Sequence, residues 1–272
     1  MSDRAPTVLV FDSGLGGLTV FSELRTALAG ARFVYAADDA AFPYGGLPEE
    51  RLTERVVAVI DRLIDLHHPD IVVIACNTAS TLVLPALRQR FAIPFVGTVP
   101  AIKPAAALTL SGRVAVLGTP GTVQRDYTRA LIDTYAAEVV VTLVGATGLA
   151  KLAEARLKGE SIADEAVLAE IAPCFVDRDG RRTDVVTLAC THYPLLLDVF
   201  HRVAPWPVTW LDPAPAIARR TADLIGPCRP GEPGEALAVF TSGSGVTEDL
   251  RTALGGLGLS RLVVEAMPLA LH

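Results

Sequence analysis

Residues 70 to 78 read DIVVIACNT, and residues 184 to 192 read DVVTLACTH. Both run from an aspartate through an apolar stretch to Ala-Cys and a polar pair. Two further echoes keep the same order. Upstream, VLVFDSG from Val8 is matched by VAVLGTPG from Val114. Downstream, each cysteine is followed at nearly the same distance by Pro-Ala-Ile, at 100 to 102 and at 215 to 217. Three echoes in one order imply that a single supersecondary plan is used twice along the chain.

That plan is strand then helix. TVLVF ends at Asp12 and leads through the glycine-rich GLGG to a helical stretch from about Leu18. RFVYAAD reads as a second strand. PEERLTERVVAVIDRLIDLH has helical periodicity, with its charges opposite the apolar face. DIVVIAC is apolar almost throughout, as in a strand covered on both faces of a parallel sheet. The expected fold is α/β: two pseudo-symmetric three-layer lobes with mainly parallel sheets and the active site in the cleft between them. PAIKPAAAL would carry the chain into the second lobe and PAPAIARRTADLI would carry it back. The first lobe is then discontinuous, residues 1–98 plus 212–272, and the second spans 99–211. The Pro/Gly-rich GPCRPGEPGE is expected to be a surface loop.

Composition narrows the function classes. The chain has 272 residues and is 51% hydrophobic and 20% charged, enough to bury a large core. Its formal net charge is −6, and it has no lysine- or arginine-rich run of the kind nucleic-acid binding needs. Arg178, Arg181 and Arg182 sit in a DRDGRRTD turn whose acids offset them, which reads as solvated surface. No stretch approaches the ~20 apolar residues of a membrane span, and the N-terminus lacks the pattern of a secretory signal. The four cysteines, Cys76, Cys174, Cys190 and Cys228, form no CxxC pair and no metal-ligand spacing. A reducing cytoplasm is the expected compartment.

Cys76 and Cys190 stand at strand ends and occupy the same place in the repeat. Free cysteines are mostly small buried hydrophobes, and Cys174 and Cys228 are read that way. The other two are each followed by hydrogen-bonding residues, Asn77 and Thr78 or Thr191 and His192. A packing cysteine needs no such neighbours. A helix starting just after each thiol would lower its pKa and stabilise the thiolate. Two matched thiols facing one cleft suit inversion at a carbon: one removes a proton from one face while the other delivers a proton to the opposite face, and the roles exchange with direction. His192 and Asp12 are the nearby groups able to trade protons with them. Ser13 and the backbone N–H groups of the DSG turn suit an anionic carboxylate, and the FPYGG turn offers Tyr44 and Gly45. The only lysines, Lys103, Lys151 and Lys158, do not lie at a strand end beside a phosphate-cradling loop. The chemistry expected is therefore free of pyridoxal phosphate or any other cofactor, and of metal.

With these residues in view, the chain resembles the glutamate racemase family, within the wider aspartate/glutamate racemase group. The likeness rests on VFDSGLGGLTV, ADDAAFPYG, VIACNTAS, GTPGTVQRDY, LACTHYPLL and FTSGS, which fall in the family's order over nearly the whole chain. The resemblance implies a cofactor-independent two-base proton transfer on glutamate with Cys76 and Cys190 as the acid–base pair. Asp12–Ser13, Tyr44–Gly45, Asn77–Thr78 and Thr191–His192 would be the substrate-contacting pairs, with Asp12 and His192 also assisting the thiols. It further implies a supply of D-glutamate for peptidoglycan, a bacterial cytoplasm and a homodimer. Glu154 matches a carboxylate the family places near the site, although Ala146 and Thr147 stand where a Cys-Pro-containing version is usual. Asp39 and Ala41 depart from the residues common near the PYG turn.

Three other readings are distinguishable. A racemase of aspartate or a hydantoin would use the same thiols. A nucleotide-binding reading rests on Gly14-x-Gly16 after a strand, but Thr19 stands in place of the third glycine of that fingerprint. A catalytically silent partner-binding protein would tolerate loss of either thiol.

Overall fold

The apolar strand β1 (Thr7–Asp12) lies inside a six-stranded parallel sheet. The computed structural model describes residues 4–226 and 234–267, so Cys228 and most of the Pro/Gly-rich loop lie outside the described residues. After β1 come α1 (Leu18–Ala27), β2 (Arg32–Ala37), α2 (Glu49–His67), β3 (Ile71–Ile74), α3 (Asn77–Arg90) and β4 (Phe95–Gly97). The chain then passes through α4 (Ile102–Leu108), β5 (Arg113–Gly118), α5 (Pro120–Gln124), α6 (Asp126–Tyr135) and β6 (Val140–Gly145). There follow α7 (Leu149–Leu157), α8 (Asp164–Ile171), the exposed hairpin β7 (Asp177–Arg178) and β8 (Arg181–Arg182), β9 (Val185–Ala189), α9 (Leu197–Val203) and β10 (Thr209–Leu211). Last are α10 (Ala214–Ile225), β11 (Ala236–Phe240), α11 (Glu248–Gly256) and β12 (Arg261–Val264).

The repeat in the sequence is a repeat in topology. The first sheet runs β12-β11-β2-β1-β3-β4 and the second β10-β9-β5-β6, with every pairing in both parallel. Read outward from the equivalent strands, β2-β1-β3-β4 corresponds to β6-β5-β9-β10. Alternate residues explain the three layers: Val8, Val10, Ile71 and Val73 enter one core, and Leu9, Phe11, Val72 and Ile74 enter another on the opposite face. In the second sheet, Ala115, Leu117, Val186 and Leu188 pack in one core and Val116 with Ala189 in another. Ile102 of α4 joins this second set, whereas Ala214, Ile217 and Ala218 of α10 pack in the first sheet's core.

Two features depart from the expectations. The first sheet gains an edge strand, β12, whose partly exposed Arg-Leu-Val-Val gives little apolar signal. And α2, expected to keep its charges outward, turns Arg55 inward against the buried Asp38, at 2.6 Å. The DRDGRRTD segment forms the exposed β7–β8 turn, as its charges suggested. Among the described residues, no helix is long and apolar enough to cross a membrane.

Candidate active site

The candidate residues gather at the carboxyl ends of the strands, where a crevice opens in parallel α/β sheets. Asp12 ends β1, and Asp38 follows β2. Cys76 follows β3 and caps α3, and Cys190 follows β9. Side chains from both sheets meet here. Thr191 donates to Asp12 Oδ1 at 3.1 Å, and Gly16 N–H donates to His192 Nε2 at 3.2 Å. Leu15 N–H donates to Glu154 Oε1 at 2.9 Å. The thiols are 5% and 6% exposed, so the site is closed to solvent as it stands.

Around Cys76 the partners are short and neutral, apart from one carboxylate. Its thiol donates to Ser13 Oγ at 3.7 Å. Burial, and then the charge of Asp12, push the Cys76 pKa up from 9.0 to about 12. This corrects the expected depression: the N–H of Ala79 at the start of α3 does favour the thiolate, but desolvation outweighs it. Asn77 is buried; its Oδ1 accepts from Thr98 at 3.4 Å, while its Nδ2 has no hydrogen-bond partner. Thr78 Oγ1 lies 3.2 Å from Thr119 Oγ1 of the other lobe.

Around Cys190 the partners form a chain of titratable groups. Cys190 Sγ lies 3.8 Å from His192 Nδ1, and His192 Nε2 lies 3.1 Å from Glu154 Oε1. Glu154 Oε2 lies 3.1 Å from Lys158 Nζ. Burial opposes charge on His192, yet the hydrogen bonds to Cys190 and Glu154 and the nearby anions win and raise its pKa well above the ordinary value. Burial likewise acts against the Glu154 carboxylate, but His192, the Leu15 N–H and Lys158 hold its pKa below the usual range.

The glycines of the GLGG turn are there for close approach. A Cβ at Gly16 would stand 2.4 Å from His192 Nδ1, and one at Gly14 would stand 2.1 Å from Glu154 Oε1. The N–H groups expected to receive a carboxylate are already used: Gly14 donates to Asp12, Leu15 to Glu154 and Gly16 to His192. The same occupancy leaves none of these three free to cradle a phosphate. Tyr44 also differs from the simplest expectation, because its hydroxyl is spent on Asp38 at 2.5 Å. What the Tyr44–Gly45 turn presents is therefore backbone. Cys174 is buried in the second-lobe core, as a packing cysteine would be.

Thr119 and Lys158 were not singled out for the site from sequence. The Thr119 signal was present in the second copy of the strand–turn echo, where GTPG occupies the place of DSG. A cavity of about 750 Å³ lies elsewhere, lined by Arg25, Arg32 and Arg261 at the opposite end of the first sheet, and holds none of the candidate residues. Among the described residues, no group of His, Cys, Asp and Glu is placed to hold a metal ion.

A family model described as Asp/Glu/Hydantoin racemase matches residues 25–221. The glutamate racemase of Brucella anthropi is 60% identical over 232 residues, covering 85% of this chain and 84% of its own. That of Sinorhizobium fredii is 58% identical over 239 residues, 87% of this chain and 90% of its own. Among solved structures, Escherichia coli glutamate racemase in complex with L-glutamate and the activator UDP-MurNAc-ala has a TM-score of 0.89 at 41% identity, covering 97% of this chain and all of that one. Glutamate racemase isoform RacE1 from Bacillus anthracis has a TM-score of 0.78 at 27% identity, covering 98% and 99%.

Proposed function

The chain belongs to the Asp/Glu/hydantoin racemase family, and from that premise we propose that it is a cofactor-independent glutamate racemase using Cys76 and Cys190 as a two-base pair. One observation carries the reading: equivalent strands of two pseudo-symmetric sheets end in two buried thiols, each with its own hydrogen-bond partner. In one direction the thiolate of one cysteine takes the α-proton of glutamate. The thiol of the other delivers its proton to the opposite face, which leaves the protonation states exchanged. The raised pKa of Cys76 favours its protonated form at rest.

His192 is then the proton partner of Cys190, and it has a hydrogen-bond partner in each state. As an imidazolium it donates from Nε2 to Glu154. Once its Nδ1 proton has passed to Cys190, the neutral Nε2–H tautomer keeps the same bond to Glu154. The negative charge that develops on deprotonation spreads into the α-carboxylate. The buried, unpartnered Asn77 Nδ2 is a donor suited to receive it. Ser13, Thr78, Thr191 and the Tyr44–Gly45 backbone supply the other neutral contacts, and Asp12 faces the site's cationic needs as a substrate-contacting and assisting carboxylate. Because the thiols are closed off, glutamate enters by separation of the lobes, taken as residues 1–98 plus 212–272 and residues 99–211.

We further read this activity as that of a homodimer in a bacterial cytoplasm supplying D-glutamate for peptidoglycan, a reading that the family likeness supports. Circular dichroism of L-glutamate incubated with the protein tests the reading, with L-aspartate and a hydantoin as competing substrates. Loss of optical activity is expected with glutamate. Inversion of aspartate alone would move the protein to a sister activity of the family.

A further inference from the structure

We infer that Lys158 is a positioning residue for the Cys190 half of the site, seated by the Ser242–Val246 turn and holding Glu154 onto His192; this rests on the racemase reading above. Neither Lys158 nor the FTSGS segment that forms the turn has a role in the chemistry so far described. The structure joins them in one continuous set of contacts. Asp39 anchors the turn: its carboxylate accepts from Ser242 N–H and Gly243 N–H, each at 2.8 Å, and from Ser242 Oγ at 2.6 Å. The turn then passes so close to Lys158 that a Cβ at Gly245 would stand 3.0 Å from Nζ. Just beyond it, Thr247 Oγ1 donates to the Lys158 carbonyl at 3.5 Å.

Lys158 is one helical turn beyond Glu154 and bonds its Oε2, the oxygen not used by Leu15 N–H and His192. The carboxylate is thereby held at both oxygens, which fixes its plane and directs Oε1 at the imidazole. The pair is screened on one side only: the Glu154 side chain is 7% exposed and that of Lys158 25%. The other charged or titratable groups around it are His192, Tyr35 and, from α11, Asp249 beside Gly159. Lys158 is among the groups that keep the Glu154 carboxyl ionised. Its side chain bonds Glu154 and lies against the turn, so its effect on the chemistry passes through Glu154.

The sign of the expected change follows. Removing the cation disfavours the Glu154 carboxylate, so its pKa rises, and the acid limb of kcat/KM moves to higher pH. The test compares wild type, Lys158→Met and Lys158→Arg, with thermal unfolding to verify that each is folded. Lys158→Met should lower kcat about tenfold with little change in KM, and move the acid limb up by roughly 0.5–1 pH unit. Lys158→Arg should restore both.

A separate readout is ¹³C NMR of the Glu154 side-chain carboxyl, assigned with Glu154→Gln. The upward shift should appear in Lys158→Met without substrate. An unmoved carboxyl titration would overturn the inference, as would a loss of activity with an unmoved acid limb that arginine does not rescue. Failure of wild type to invert glutamate would instead remove the proposed function, and the carboxyl titration would still decide the role of Lys158.

Discussion

Cys76 and Cys190 stand at equivalent strand ends, yet their surroundings are finished in different ways. The Cys76 side has a serine hydroxyl, a buried amide and one carboxylate, and burial together with the charge of Asp12 keeps a proton on sulfur. The Cys190 side has an imidazole, a carboxylate and an ammonium in series. On the proposed two-thiol reading, the repeated strand–helix plan supplies matched positions for two acid–base groups, and local residues divide the labour between them. Enantiomers have equal free energy, so kcat/KM must be the same for L- and D-glutamate whatever the asymmetry. The difference between the halves is confined to kcat, KM and isotope effects taken one direction at a time.

The largest effect should come from removing either half. Cys76→Ser and Cys190→Ser should each lose roughly 10²–10⁴-fold in racemisation, since a hydroxyl is a far poorer base at neutral pH. Equal, severe losses would support the two-thiol pair; a variant that keeps near-normal turnover would break it. His192→Asn acts on one half only and should lose about 10²-fold, at the lower end of that range. Its pH profile carries the sign. The imidazolium is stabilised in the folded protein, so wild-type activity should fall on the alkaline side as His192 gives up its proton, and this limb should vanish in the variant. The stability it contributes is present below pH 6.5 and is lost as pH rises through the folded-state value.

Gly16→Ala should be milder, costing about 1–3 kcal/mol in stability because its Cβ meets His192 and must displace it. Gly46→Ala, with nothing within 4 Å of the added carbon, should change little and serves as the control in chemical denaturation. A further effect, confined to high pH, belongs to the Cys76 thiol. Folded protein keeps a proton there between 9.0 and about 12 that the unfolded chain releases, so stability falls as pH rises through that window. Denaturation of Cys76→Ser across the window should show a shallower fall than wild type.

Much of this was legible in the sequence for identifiable reasons. Strands such as Ile71–Ile74 are covered on both faces and so read as continuous apolar runs, and the paired DxVxxAC motifs locate the thiols at their ends. Other features depend on contacts between distant segments. Arg55 looks like any outward charge of α2 until Asp38 and Tyr44 are brought to it. The N–H groups of the GLGG turn look available until Glu154 and His192 arrive from the other lobe. The helix start after Cys76 pointed to a lowered pKa, but the degree of burial and the approach of Asp12 set the sign. Lys158 is an unremarked surface-helix lysine in the sequence and gains its meaning from a turn 85 or so residues later, brought to it by the return of α10 and β11 to the first sheet.

The most direct test of the central claim is early-turnover ¹H NMR in D2O, starting from L-glutamate and, separately, from D-glutamate. With two bases, the acid thiol has already exchanged with solvent. The inverted product should therefore carry deuterium at Cα from the first turnover, while the remaining substrate keeps its protium. Product that retains the substrate's own proton would mean that a single group serves both faces, and the paired roles of Cys76 and Cys190 would not stand.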